Sequence, residues 1–182
     1  MKNRKSGDAG MKYDPAQVRI HEVYTVAIRD LGVHGEGIGS VDGFTVFVPG
    51  ALPGETVTAE ITLLKKSYAL GKLLSIEQES PFRMVPECPV YEHCGGCQLS
   101  HLTYEGQLDM KYRRVKDVIE RIAGESGDLV RPVLPAAHPF AYRNKMAVPA
   151  GLVKGKAALG CYRQGSHDII PVSSCAIQKE EN

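Results

Sequence analysis

A chain of 182 residues with 43% hydrophobic and 24% charged residues carries enough apolar surface to bury one generous core or two small ones, which excludes wholesale disorder. Its 22 Lys and Arg balance 21 Asp and Glu to a net charge of +1, so no global field draws it to nucleic acid and any such binding must use local patches. No apolar run is long enough for a secretion signal or a membrane span, so a cytoplasmic protein with no membrane partner and reduced cysteines is expected.

Residues 1–16 are polar and rich in Lys and Gly and read as a flexible N-terminus. From Gln17 to Glu79 short β-branched runs are cut by Gly and Pro: VRIHEVYTVAIRDL, GEGIGSVDG, FTVFVPG, ETVTAEITLL and LGKLLSI. They predict about five strands with tight turns. In the first run both alternating faces are partly apolar, as a curled sheet requires, so residues 17–80 are expected to close into a small β-barrel. Asp42-Gly43 is a hairpin signal because both residues tolerate positive φ. Phe44 and Phe47 are at odd spacing and must face opposite sides of their strand, one of them toward the core.

At Ser80-Pro81 the texture changes. Pro81, Pro86 and Pro89 cannot continue a ladder and read as a linker, so the domain boundary is placed there and 81–182 forms the second domain. Tyr104, Leu108, Tyr112, Val115, Ile119 and Ile122 recur at spacings of three and four, which predicts an amphipathic helix with Thr103 as N-cap and Gly124 as stop. KMAVPAG, AALGCYRQG and DIIPVSSC then read as three strands joined by Gly-containing turns. The expected fold class is α+β: an all-β barrel followed by a small domain of mixed α and β.

Chemistry concentrates in the cysteines. Cys88, Cys94 and Cys97 form C-x5-C-x2-C, and Gly95 and Gly96 between the last pair let the backbone wrap tightly and aim N–H groups at thiolate sulfur. Three thiolates need a fourth ligand. Cys175 closes the last strand-like run, whereas Cys161 lies inside the run before it, and a buried Cys is often a small hydrophobe; Cys175 is therefore the preferred fourth ligand of an iron–sulfur cluster, with Cys161 as its rival. Zinc is the competing metal, held by the three loop cysteines with His93, His101 or Cys175, although ribbon-type zinc sites usually present two close Cys pairs and this chain has one. A redox disulfide between Cys94 and Cys97 lacks the thioredoxin-like βαβ setting. Neither His93 nor His101 is assigned as a ligand.

The run CPVYEHCGGCQLSHLTYEGQLDMK resembles the iron–sulfur loop and following helix of the RNA uridine-C5 methyltransferases. GEGIGSVDGFTVFVPGALPGETV resembles the TRAM domain of that family, and AYRNKMAVPA with IIPVSSCAI resembles its central domain. The resemblance runs from about Val18 to Ile177 and is nearest to the members that methylate large-subunit ribosomal RNA. It implies an OB-like TRAM barrel that binds RNA, a central domain holding a four-iron four-sulfur (4Fe-4S) cluster on Cys88, Cys94, Cys97 and Cys175, and a following S-adenosylmethionine-binding methyltransferase domain. The glycine-rich strand-to-helix turn of such a cofactor domain does not occur here, so that domain is expected to be absent from this chain and to lie in the same or a parent chain. The family's catalytic cysteine and general base belong to it, so no catalytic residue is assigned and this chain alone is expected to be inactive. The cluster is expected to be structural, since methyl transfer needs no net electron.

OB-like barrels grip single strands with basic residues and exposed aromatics. Lys65, Lys66, Tyr68 and Lys72 around one turn of the barrel, and Arg143, Asn144 and Lys145 before a strand of the second domain, are the candidate RNA contacts; a solvated turn and a loop cap are the competing readings. The expected function is the RNA-binding and iron–sulfur portion of an enzyme forming 5-methyluridine in ribosomal RNA, as a monomer. The alternatives are a stand-alone RNA-binding TRAM and iron–sulfur module, and a cluster-bearing electron carrier.

Overall fold

The computed structural model describes residues 18–179 and 181. The expected flexible stretch 1–16 lies outside the described residues. The chain divides into two compact units, the first ending at Ser80 and the second beginning at Pro81, and each is taken by itself.

The first unit is a closed barrel of five strands, β1 (Val23–Leu31), β2 (Gly37–Val41), β3 (Phe44–Val48), β4 (Thr56–Leu64) and β5 (Tyr68–Gln78), in the order β1-β2-β3-β5-β4. Neighbouring strands are antiparallel except where β5 pairs with β3 in parallel, and this pairing together with β4 on β1 removes every edge. Period-two alternation decides which side chains enter the core: Val26 and Ile28 of β1, Phe44, Val46 and Val48 of β3, Val57, Ala59 and Ile61 of β4 and Ala69 of β5 are all buried. Phe44 points in and Phe47 outward, where its ring meets Tyr68 edge-on with centroids 5.5 Å apart. Asp42 and Gly43, at φ 47° and 84°, make the tight β2–β3 turn.

A buried carboxylate ties the barrel's ends. Glu55 is 1% exposed and accepts hydrogen bonds from the amides of Leu52, at 2.8 Å, and Ser80, at 3.4 Å. Hydrogen bonds of this kind keep a polar group tolerable in a dry site and fix the loop before β4 against the last residue of the unit.

Among its described residues the second unit contains one α-helix, α1 (Tyr104–Val118), a π-helical turn over Ile119–Ala123 and a sheet of β6 (Ala150–Val153), β7 (Lys156–Tyr162) and β8 (Ile169–Pro171) in sequential antiparallel order. The Thr103 hydroxyl caps α1 by accepting from Gly106 N at 3.2 Å, and Gly124 ends the helical run at φ 70°. Periodicity predicts one covered helix face, but Gly106 is the only buried residue of α1, while Val115 and Ile122 are 50% and 80% exposed. Two strand expectations also shift. KMAVPAG becomes a strand only from Ala150, because Pro149 has no N–H for the ladder and serves through its carbonyl, which accepts from Gly160. β8 ends at Pro171, so Cys175 sits beyond the strand in a turn closed by Gln178 N on Cys175 O at 2.9 Å. Among the described residues no helix is long and apolar enough to cross a membrane.

Candidate cysteine centre and RNA contacts

The cysteine loop is built from its own turns. Tyr91 N donates to Cys88 O at 3.1 Å, and His93 N and Cys94 N both donate to Val90 O. Gly96 N then points at Cys94 Sγ from 3.4 Å, the N–H-to-sulfur contact that the two glycines allow. Gly95 N donates to Tyr162 O at 2.9 Å and Cys94 bridges to Arg163, so the loop lies along the end of β7. A Cβ on Gly95 would stand 3.1 Å from Gln164 backbone atoms, which is why glycine occupies this crossing.

Laying the loop on β7 brings distant thiols together. Burial pushes the Cys97 thiol up; a hydrogen bond from Ser100 opposes that, and the neighbouring Cys175, Cys94 and Cys88 push it further up. Cys97 thus lies within electrostatic reach of Cys88, Cys94 and Cys175, the last of them distant in sequence. Cys161 joins them. Its thiol shares a hydrogen bond with Cys94 and is pushed up to about 11, first by burial and then by Cys94, Cys175 and Cys97. A strand-interior Cys reads from sequence as a small hydrophobe; alternation along β7 and the loop's crossing beside Tyr162 give Cys161 a different setting. All five cysteines are free and partly exposed. Among the described residues no three His, Cys, Asp or Glu side chains converge as the ligands of a single metal ion would.

The donor set suits a cluster chemically. Four thiols whose ionised forms repel need a cationic centre to hold them as thiolates, and thiolate is the standard ligand of iron–sulfur clusters. The histidines stand differently. His93 is exposed, while His101 is 5% exposed and its Nδ1 meets the Tyr91 hydroxyl, which also donates to Gln98 O at 3.0 Å. Sequence spacing gave no sign of this tyrosine. A groove of about 580 Å³ beside Cys175, lined by Met146, Val148, Leu159, Val172 and Gln178, was likewise not legible.

The candidate RNA contacts fall into two sets. Lys65 and Lys66 are exposed at the β4–β5 turn, and Tyr68 follows them with its ring on Phe47. Lys72 is exposed but pairs in register with Glu60, which also contacts His21. In the second unit Arg143, Asn144 and Lys145 are exposed; Arg143 N donates to Ile177 O and its carbonyl accepts from Lys179, fixing that stretch beside the turn of Cys175.

Residues 17–74 match the TRAM domain, so the first unit is a TRAM barrel. The chain is similar to proteins named uncharacterized RNA methyltransferase: one of Bacillus cereus, 49% identical over 91% of this chain and 36% of the relative; one of Halalkalibacterium halodurans, 42% identical over 94% and 38%; and one of Clostridium tetani, 44% identical over 90% and 35%. The chain therefore spans little more than a third of these relatives' length. Among solved structures, the tRNA (uracil-54, C5)-methyltransferase of Pyrococcus abyssi, determined with S-adenosyl-L-homocysteine, superposes with a TM-score of 0.60 at 24% identity over 86% of this chain and 33% of that one, a likeness of fold.

Proposed function

We propose that this chain is the RNA-binding and iron–sulfur portion of an S-adenosylmethionine-dependent RNA (uracil-C5)-methyltransferase that forms 5-methyluridine in ribosomal RNA. The carrying observation is that the chain holds a TRAM barrel and is similar over 91% of its length to a protein named an RNA methyltransferase, and the C-x5-C-x2-C spacing of Cys88, Cys94 and Cys97 supports the cluster reading. Cys88, Cys94, Cys97 and Cys175 would hold a 4Fe-4S cluster, and the cluster supplies a cross-link between distant chain positions that survives in a reducing cytoplasm. The barrel grips RNA through Lys65, Lys66, Tyr68 and Lys72, and the second unit adds Arg143, Asn144 and Lys145. Methyl transfer itself would fall to the part of the relatives' length that these residues do not span, and the part described here would bind the RNA.

Anaerobic purification tests the centre. A brown protein holding about four irons per chain is expected, and a colourless protein with stoichiometric zinc overturns the cluster. Incubation with S-adenosylmethionine and unmodified ribosomal RNA tests the division of labour: binding without 5-methyluridine is expected, and methylation by this chain alone overturns it. Binding to transfer RNA in preference to ribosomal RNA overturns the substrate.

A further inference from the structure

We propose that Tyr91 and His101 are positioning residues that hold the Cys88–Cys97 loop at the span its ligand cysteines need, an inference that rests on the cluster reading above. A loop with two adjacent glycines has little intrinsic stiffness. Tyr91 spans it. Its backbone N–H donates to Cys88 O at 3.1 Å and its side-chain hydroxyl donates to Gln98 O at 3.0 Å, so one residue joins the first ligand position to the residue following the third. The same hydroxyl meets Nδ1 of His101, whose ring is tilted 39° to the tyrosine ring with centroids 5.7 Å apart.

His101 is the fixed end of this strut. It is 5% exposed, its carbonyl accepts from Met84 N at 2.9 Å, and the following Leu102 is 3% exposed and bridges to Arg83. Thr103 N donates to Phe82 O at 2.8 Å in the same ladder, and Gln107 Nε2 donates to the carbonyls of Leu99 and Leu102. The segment before the loop and the start of α1 are therefore clamped together, and the Tyr91 hydroxyl transmits that anchorage into the loop. Neither ring is needed as a ligand; both act through the cysteines they hold in place.

The test compares tyrosine hydroxyls of the same unit. Tyr91→Phe keeps the ring and removes the strut. Tyr104→Phe removes a hydroxyl that accepts from Ala136 N at 2.6 Å and has no part in the cysteine loop. With anaerobically purified full chain, bleaching of the visible band by an iron chelator and the electron paramagnetic resonance of the dithionite-reduced cluster are recorded. Tyr91→Phe is expected to bleach on the order of tenfold faster, with a changed resonance, as for other residues that orient metal ligands; Tyr104→Phe is expected to match the wild type. His101→Asn, whose amide places a polar atom where Nδ1 lies, is expected to bleach more slowly than His101→Ala. A folded Tyr91→Phe protein with wild-type bleaching and resonance overturns the positioning role. So does equal bleaching of the two His101 variants, which keeps the proposal testable if Tyr91→Phe fails to fold. A colourless wild type overturns the cluster reading and the positioning role with it, whereas a brown wild type with unaffected variants overturns the positioning role alone.

Discussion

Gly95 donates its amide to the carbonyl of Tyr162 at 2.9 Å, and through this bond the cysteine loop meets β7 where Cys161 precedes Tyr162 and the chain turns back toward Cys175. The crossing has no room for a side chain, since a Cβ on Gly95 would come within 3.1 Å of Gln164 N, Gln164 Cα and Tyr162 O.

Gly95→Ala therefore moves the loop off the strand. Backbone atoms rather than a flexible side chain must yield, so the expected destabilisation of the second unit is about 1–3 kcal/mol, with a fall in iron bound per chain. Urea unfolding followed by the visible absorbance of the cluster, with iron assayed in parallel, measures both. Gly96→Ala is the comparison: its nearest neighbour is Cys94 Sγ at 3.4 Å, ordinary contact distance, and a smaller effect is expected.

For RNA, the two lysines at the β4–β5 turn separate from the third. Lys65 and Lys66 are exposed at the turn, whereas Lys72 lies opposite Glu60 across the β4–β5 pair. The double variant Lys65→Gln, Lys66→Gln is expected to weaken RNA binding and to lower the slope of log affinity against log salt by about 1.4 for a single strand, from about 0.7 per phosphate. Lys72→Gln is expected to change the slope less, because Glu60 already neutralises part of its field. Fluorescence anisotropy with a labelled ribosomal RNA fragment at several salt concentrations gives each slope, and equal slopes for all three proteins would contradict the assignment.

Glu55 is expected to be worth more to the barrel than its place in a loop suggests. Glu55→Ala removes the buried acceptor of the Leu52 amide and weakens the tie to Ser80, at an expected cost of about 1–3 kcal/mol. Glu55→Gln keeps one carbonyl oxygen and is expected to cost less. The far-ultraviolet unfolding transition of the barrel in urea ranks the three proteins.

The barrel was legible in the sequence because its signals are local. Each strand alternates inward and outward residues over five or more positions, and Asp42-Gly43 announces its own turn. The parallel β3–β5 pairing was not legible, since nothing local in FTVFVPG or LGKLLSI names a partner. In the second unit Thr103 and Gly124 marked the helix correctly, yet the stripe through Val115 and Ile122 promised a cover that those residues lack, because periodicity reports a face and not what meets it. The C-x5-C-x2-C spacing of Cys88, Cys94 and Cys97 was plain. The proximity of Cys161 depends on Gly95 crossing β7 beside Tyr162, a long-range contact that spacing does not encode, and the Tyr91 hydroxyl reaching His101 is equally invisible along the chain.

That fifth thiol makes the choice of ligand testable. Cys175 lies in a turn beyond β8, free to present its sulfur, whereas Cys161 is held inside β7 by the register Cys161↔Ile170 and faces Cys94 as a hydrogen-bonded neighbour. Cys175→Ser is expected to lose the visible band and most of its iron, and the second unit should then unfold at lower urea, because the cross-link between the cysteine loop and the turn after β8 is lost. Cys161→Ser is expected to keep the iron content of the wild type with a modestly altered spectrum, since serine preserves a hydroxyl beside Cys94. Iron assays on anaerobically purified variants decide between them: if Cys161→Ser loses iron and Cys175→Ser retains it, the fourth ligand comes from the strand interior and the turn after β8 serves another purpose.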